Sequence, residues 1–201
     1  MTIFATVNLA GERVGTMQAS QGIKDALMSL VVEKPYSAIK IQDICARAGV
    51  SRKTFNKWFD GKDSVLDAQL VDDFADPVRK VNAELPVNSI ENATRFMLGK
   101  HYQRFYDKRQ SYTAIAKSMG ALWLADRLTV IMEQLNREIF SGLDWMEDRD
   151  FAAYFFSAGH AMILVWWMRE GMKTPPNEVA RLTDVWLYAH HHQIDTSEKD
   201  W

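Results

Sequence analysis

Between Ser51 and Phe59 the chain reads SRKTFNKWF. In a helix of this register Arg52, Lys53, Asn56 and Lys57 turn outward. Phe55, Trp58 and Phe59 follow one another at i, i+3, i+4, so at least two of them anchor the helix from behind. Arg and Lys donate to guanine N7 and O6, and Asn pairs with the adenine edge. A short helix with such donors outside and rings inside is shaped for the DNA major groove. Thr54, Lys40 and Lys62 suit phosphate oxygens, which fix position without reading sequence. The same spacing also fits a helical hairpin whose charged face is only solvated, and spacing alone leaves both readings open.

A recognition helix needs elements behind it. Ile41, Ile44, Cys45 and Ala48 form one apolar face just upstream, Gly49 supplies a tight turn, and Ser51 is an N-cap. Further upstream, Ile23, Ala26, Leu27, Leu30 and Val31 make an amphipathic stripe over Gln21 to Glu33 that Pro35 ends. These three helices define a head over residues 19–62. Residues 1–18 read as an N-terminal arm without the basic start and long apolar stretch of a signal peptide. Its Arg13 is either solvated or reaches a minor groove. Residues 1–62 carry nine basic and five acidic side chains, net +4, leaving −6 for the rest of a chain whose total is −2. That split is expected when one end meets phosphate.

The remainder, 63–201, reads as about six helices and so completes an all-α fold. A fourth helix starts at Asp63 or Ser64, passes Leu70 and Phe74, and is kinked or ended by Pro77. Later helices span Asn88 or Ser89 to Tyr106, Gln110 to Met119, Ala121 to Phe140, Asp148 or Asp150 to Gly171, and Pro175 to about His190. Phe151 to Met168 is long enough to cross a membrane, but Ser157, Gly159 and His160 at its middle and acidic flanks favour burial in protein. A membrane is therefore not expected as a partner.

Enzyme chemistry finds no footing. The chain has no Gly-rich phosphate loop, nucleophile elbow or metal-spaced Cys cluster, so no catalytic residue, cofactor or metal is expected. Its one cysteine, Cys45, reads as a buried small hydrophobe in a cytoplasmic protein. His190, His191 and His192 point in different directions on a helix and chelate poorly as a set.

The run Ile41 to Phe59, followed by Gly61-Lys62-Asp63 and Val65-Leu66, resembles the N-terminal signature of the TetR family of transcriptional regulators. The resemblance is good over about residues 21–70. From Gly159 through Trp167, Gly171 and Pro175 to Leu182 the chain is also similar to the dimerising helices of some members. It implies a helix-turn-helix head, a helical ligand-binding and dimerising body, and a palindromic double-stranded operator. DNA contacts are then expected from Lys40, Gln42, Ser51, Arg52, Lys53, Thr54, Asn56, Lys57, Trp58 and Lys62. Among these, Lys62 matches a frequent phosphate-binding lysine. A tyrosine is usual where Asn56 stands and a histidine where Trp58 stands, which bears on the operator sequence and leaves the binding mode in place.

For the body, a small apolar or aromatic effector is expected among Met97, His101, Tyr102, Trp123, Phe155 and Trp166, with His101 or Tyr102 orienting its polar end. The homodimer interface is expected to use Ala158, Met162, Val165, Leu182, Val185 and Trp186, with Gly159 and Ala161 allowing close approach. Ligand-controlled repression is the function read from these features. The alternatives are a helical interaction module or coactivator of the same fold and, third, a small-molecule enzyme.

Overall fold

Amphipathic helices that must share their apolar stripes build the whole chain. The computed structural model describes residues 14–84, 90–141 and 148–188. Among them there is no strand. The order is α1 (Val14–Glu33), a 3-10 turn (Tyr36–Ala38), α2 (Ile41–Ala48), α3 (Arg52–Phe55), α4 (Lys62–Glu84), α5 (Ile90–Asp107), α6 (Arg109–Met119), α7 (Ala121–Phe140), α8 (Arg149–Arg169) and α9 (Pro176–Thr183). A π-helical turn (Asp184–Tyr188) follows α9. The architecture is the expected all-α head and body. His190, His191 and His192 lie outside the described residues.

Three boundaries differ from the sequence reading, the first being that α3 ends at Phe55 and Asn56, Lys57 and Trp58 continue as a hydrogen-bonded turn. Helix α1 begins at Val14, inside the segment read as an arm. Helix α4 runs through Pro77 to Glu84. A proline inside a helix removes one amide donor and crowds the preceding turn. Nearby, Arg104 Nη1 of α5 donates to the Asp72 carbonyl at 3.0 Å. Asp73 beside it is buried and accepts from Gln69, Lys108 and Tyr112, which bind α4 to α5–α6. Its charge is thereby matched inside the protein, as burial demands.

The head rests on Ile23, Leu27, Ile44, Phe55, Val65 and Leu66, all fully buried. The same apolar cluster continues along α4 through Leu70 and Phe74 into Tyr102, Phe105, Ile115, Leu128, Leu164 and Trp167 of the body. Two polar ties reinforce it: Ser111 Oγ of α6 donates to the Met28 carbonyl of α1 at 2.6 Å, and Lys24 pairs with Asp72. Head and body therefore share one core, with α4 as the common member.

Helix α8 is apolar all round, yet its two sides differ. Ala153, Phe156, Ser157, His160, Ala161, Leu164, Val165, Trp167 and Met168 are buried. Phe151, Tyr154, Phe155, Met162 and Trp166 are exposed. The helix is long and apolar enough to cross a membrane by length and composition. Its inner face is instead filled by protein, with Ser157 bonded to Asn136 and to the Ala153 carbonyl, and Trp167 Nε1 to the Thr174 carbonyl. Pro176 occupies the first turn of α9, where its missing amide costs nothing.

Candidate nucleic-acid interface

The geometry of the helix-turn-helix follows from three local choices. Gly49 takes φ 65°, ψ 30°, a left-handed conformation that closes α2. The Val50 amide then donates back to the Cys45 carbonyl at 3.0 Å. Ser51 Oγ accepts from the Thr54 amide at 3.1 Å and lies 3.0 Å from the Thr54 hydroxyl. Both hydroxyls are thus engaged in starting α3, so Ser51 and Thr54 first position the helix. Phe55 is fully buried and packs on Phe59 with centroids 5.9 Å apart. Trp58 is half-buried against the same core.

Arg52, Lys53, Asn56 and Lys57 are exposed on the opposite side, together with Lys40 and Gln42 of the α2 start. The rest of the head's described cations are engaged. Arg47 forks onto Glu33 at 2.7 and 2.8 Å and holds that carboxyl below its usual range by hydrogen bonding. Lys34 reaches Asp43 at 2.6 Å and, with the Lys40 amide, lowers its pKa too. Lys24 pairs with Asp72. Among the described residues Lys40, Arg52, Lys53 and Lys57 make no ion pair within 4 Å and are exposed. A cluster of unpaired cations on a rigid, ring-anchored turn attracts a polyanion.

Lys62, expected at phosphate, makes contacts within the chain. Its ammonium donates to the carbonyls of Tyr36 at 2.7 Å, Ile39 at 3.0 Å and Ser37 at 3.3 Å. It also sits 4.6 Å from the centroid of the Tyr36 ring. The side chain is turned into the protein.

A junction missed by sequence reasoning lies beside it. Tyr36 Oη donates to Asp63 Oδ1 at 2.7 Å, and Arg127 Nη2 donates to Asp63 Oδ2 at 3.0 Å. The other arm of Arg127 meets Asp67. Its guanidinium lies over the Trp123 ring at 4.5 Å, and Trp123 packs 5.5 Å from Tyr36. Burial and the Asp63 bond push the Tyr36 phenol far above its ordinary range. Burial also raises the Asp67 carboxyl, against the pull of Arg127. The available signal was Asp63 and Asp67 at i, i+4 on one helix, a like-charge pair that requires a cation from elsewhere.

The expected effector residues separate. Trp123 belongs to this junction. Phe155 and Trp166 are each 52% exposed on the outer face of α8 and line no interior. Only His101 and Tyr102 meet at depth, with Met97 half-buried nearby in the sequence of α5. His101 stacks near Phe74 at 4.4 Å, Tyr102 lies 5.6 Å from His160, and its hydroxyl is 2.7 Å from that of Thr183. Burial drops both His101 and His160 to a pKa of about 3, so both imidazoles are neutral near pH 7.

The expected dimer residues divide as well. Met162, Leu182 and Trp186 are exposed. Ala158 and Val185 are half-buried. Val165 and Ala161 are fully buried within their own body and are not available to a partner. Gly159 serves the same chain, since a Cβ there would lie 2.9 Å from Leu187 Cδ1. The exposed stripe of α8 instead runs Phe151, Phe155, Met162, Trp166, about 22 Å at 1.5 Å per residue.

Comparison with known proteins agrees with this geometry. A family model described as bacterial regulatory proteins, tetR family, matches residues 23–68. Another, described as transcriptional regulator C-terminal region, matches residues 96–187. The fold is similar to a putative TetR-family transcriptional regulator from Syntrophomonas wolfei str. Goettingen at 17% identity and TM-score 0.61, covering 83% of this chain and 91% of that one. It is similar to the fatty acid degradation regulator FadR from Bacillus halodurans at 15% identity and TM-score 0.58, covering 84% and 94%. A TetR transcriptional regulator from Streptococcus agalactiae 2603V gives 19% identity and TM-score 0.56, covering 86% and 95%. No curated protein sequence matches the chain.

Proposed function

Because the chain belongs to the TetR family of DNA-binding transcriptional regulators, we propose that it acts as a homodimeric repressor, released from a palindromic operator by a small effector. The observation that carries the reading is the unpaired set Lys40, Arg52, Lys53 and Lys57 around Asn56 and Gln42, on a turn fixed by Gly49, Ser51 and Phe55. Arg52 and Asn56 are assigned to base edges and Lys53 and Lys57 to bases or phosphates.

The dimer is assigned to the exposed face of α8 with Leu182 and Trp186 of the last helical segment. Seven large exposed apolar side chains, five on α8 with Leu182 of α9 and Trp186 of the π-helical turn, are more than a monomer usually leaves open. A two-fold pairing of this face would place two heads on one duplex.

The effector is assigned to the buried cluster of Phe74, His101, Tyr102, His160 and Trp167, which replaces Trp123, Phe155 and Trp166 of the sequence reading. Aromatic walls with a few polar groups suit an apolar or aromatic molecule with one polar end. The coupling path runs along α4, which carries both Phe74 and the head contacts Asp63 and Val65. Coupling of about 1–3 kcal/mol suffices for release. Selection of duplexes from a random pool, followed by a screen for compounds that quench Trp fluorescence and free the selected duplex, tests the reading. Ligands that bind the body but leave DNA affinity unchanged would remove the effector part. A promoter reporter separates repression from activation.

A further inference from the structure

Lys62 stands in an unusual place. It is the first residue of α4, where the helix dipole favours an anion. Asp63 next to it fits that preference and Lys62 does not. The cation is accommodated because its side chain leaves the helix end and finds three carbonyl oxygens. An ammonium has three protons, and Tyr36, Ser37 and Ile39 account for three acceptors at 2.7, 3.3 and 3.0 Å. The Tyr36 ring face closes the fourth side at 4.6 Å.

The carbonyls belong to the turn that delivers the chain to α2. A turn of this length satisfies few of its own acceptors. Ala38 donates to Pro35 at 2.9 Å and Ile39 to Tyr36 at 3.2 Å, while Lys62 adds a second donor at the Tyr36 carbonyl and supplies donors to those of Ser37 and Ile39. The next residue, Lys40, is the N-cap of α2, and its amide donates to Asp43 Oδ2 at 2.8 Å. The place of Lys40 and of the first turn of α2 thus depends on the turn that Lys62 holds. Asp63 holds the same turn from the phenol of Tyr36.

We propose that Lys62 is a positioning residue for DNA binding: it clamps the Pro35–Lys40 turn through three backbone carbonyls and makes no phosphate contact itself. This rests on the DNA-binding reading above. It reverses the phosphate role that the sequence resemblance implies for this lysine.

Salt dependence separates the two roles. Each phosphate contact contributes about 0.9 to the slope of log K against log salt. The probe is the duplex that the wild-type protein selects from a random pool. In Lys53→Ala, which removes one cation from each subunit of the dimer, the slope should fall by about 1.8, as for a phosphate or base-edge cation. In Lys62→Met affinity should fall about tenfold, the worth of one charged hydrogen bond, with the wild-type slope retained. Amide exchange in the free protein should rise over residues 36–43 in Lys62→Met and stay unchanged in Lys53→Ala. Should Lys62→Met fail to fold, Lys62→Arg decides. A planar guanidinium cannot converge on three carbonyls over a ring, so the clamp predicts a loss of about tenfold. A phosphate contact predicts near wild-type affinity. A slope reduced in Lys62→Met as in Lys53→Ala, unchanged exchange over 36–43, or full rescue by Lys62→Arg would each overturn the proposal. If the wild-type protein selects no duplex, the DNA-binding reading fails, and the exchange measurement still tests the clamp by itself.

Discussion

The Arg127 guanidinium donates to the Asp63 carboxylate at 3.0 Å, and the other oxygen of that carboxylate accepts from Tyr36 at 2.7 Å. One acid at the start of α4 therefore joins α7 of the body to the turn that precedes α2. Arg127 also reaches Asp67 and covers Trp123, which ties α7 to the base of the head.

Breaking this junction should be costly and cooperative. Arg127→Met leaves two carboxylates beside each other, and the loss of charged hydrogen bonds is expected to cost about 1.5–3 kcal/mol. Tyr36→Phe removes the bond on the far side of Asp63. Urea unfolding of both single variants and the double variant should give a coupling energy above about 0.5 kcal/mol. Strict additivity would show that Asp63 does not link the two.

The histidines give a pH signature. His101 and His160 have folded pKa values of about 3 against an ordinary 6.5, mainly from burial. Between those values the unfolded state binds more protons than the folded one. Their contribution to stability is therefore complete above about pH 6.5 and is lost as pH falls toward 3, at about 1.4 kcal/mol per pH unit for each group. Between pH 6.5 and 5 the carboxyls of Glu33 and Asp43, held below their usual range, do not titrate. Denaturant melts at pH 7 and pH 5 should show wild-type stability falling, and His101→Phe should reduce that dependence. An unchanged dependence in His101→Phe would place His101 in solvent.

The α8 face predicts the assembly. Sedimentation velocity at micromolar concentration without detergent should find a dimer. Phe155→Glu combined with Trp166→Glu puts two carboxylates in the middle of the stripe and should give a folded monomer with unchanged helicity, since both side chains are 52% exposed in the single chain. A wild-type monomer, or a dimer that survives both substitutions, would contradict the assignment.

What the sequence made legible was local. Gly49, Ser51 and the spacing of Phe55 and Phe59 announce the turn and the anchored helix, because left-handed glycine, N-capping and helical period act within a few residues. The exposed set around Arg52 was legible for the same reason. Partners distant in the chain were not. Trp123 reads as an effector-pocket aromatic until Tyr36, 87 residues away in sequence, is seen packed beside it. Lys62 reads as a surface cation because nothing near it in the chain shows three carbonyls waiting. Helix α8, apolar on every side, carries no periodicity to tell Val165, which is buried, from Trp166, which is not. Pro77 signals a helix end from its local chemistry, yet α4 continues through it to Glu84.

The central claim is that the face around Arg52 reads DNA. The direct measurement is an equilibrium binding titration on a duplex selected from a random pool by the wild-type protein, repeated across salt concentrations. The account predicts a palindromic sequence, an affinity that falls steeply with salt, and a changed sequence preference in Arg52→Ala, at about 1–3 kcal/mol for a lost base contact. Together, Arg52→Ala and Lys53→Ala should abolish specific binding while leaving fold and dimer intact. Wild-type affinity and preference in that double variant would contradict the account.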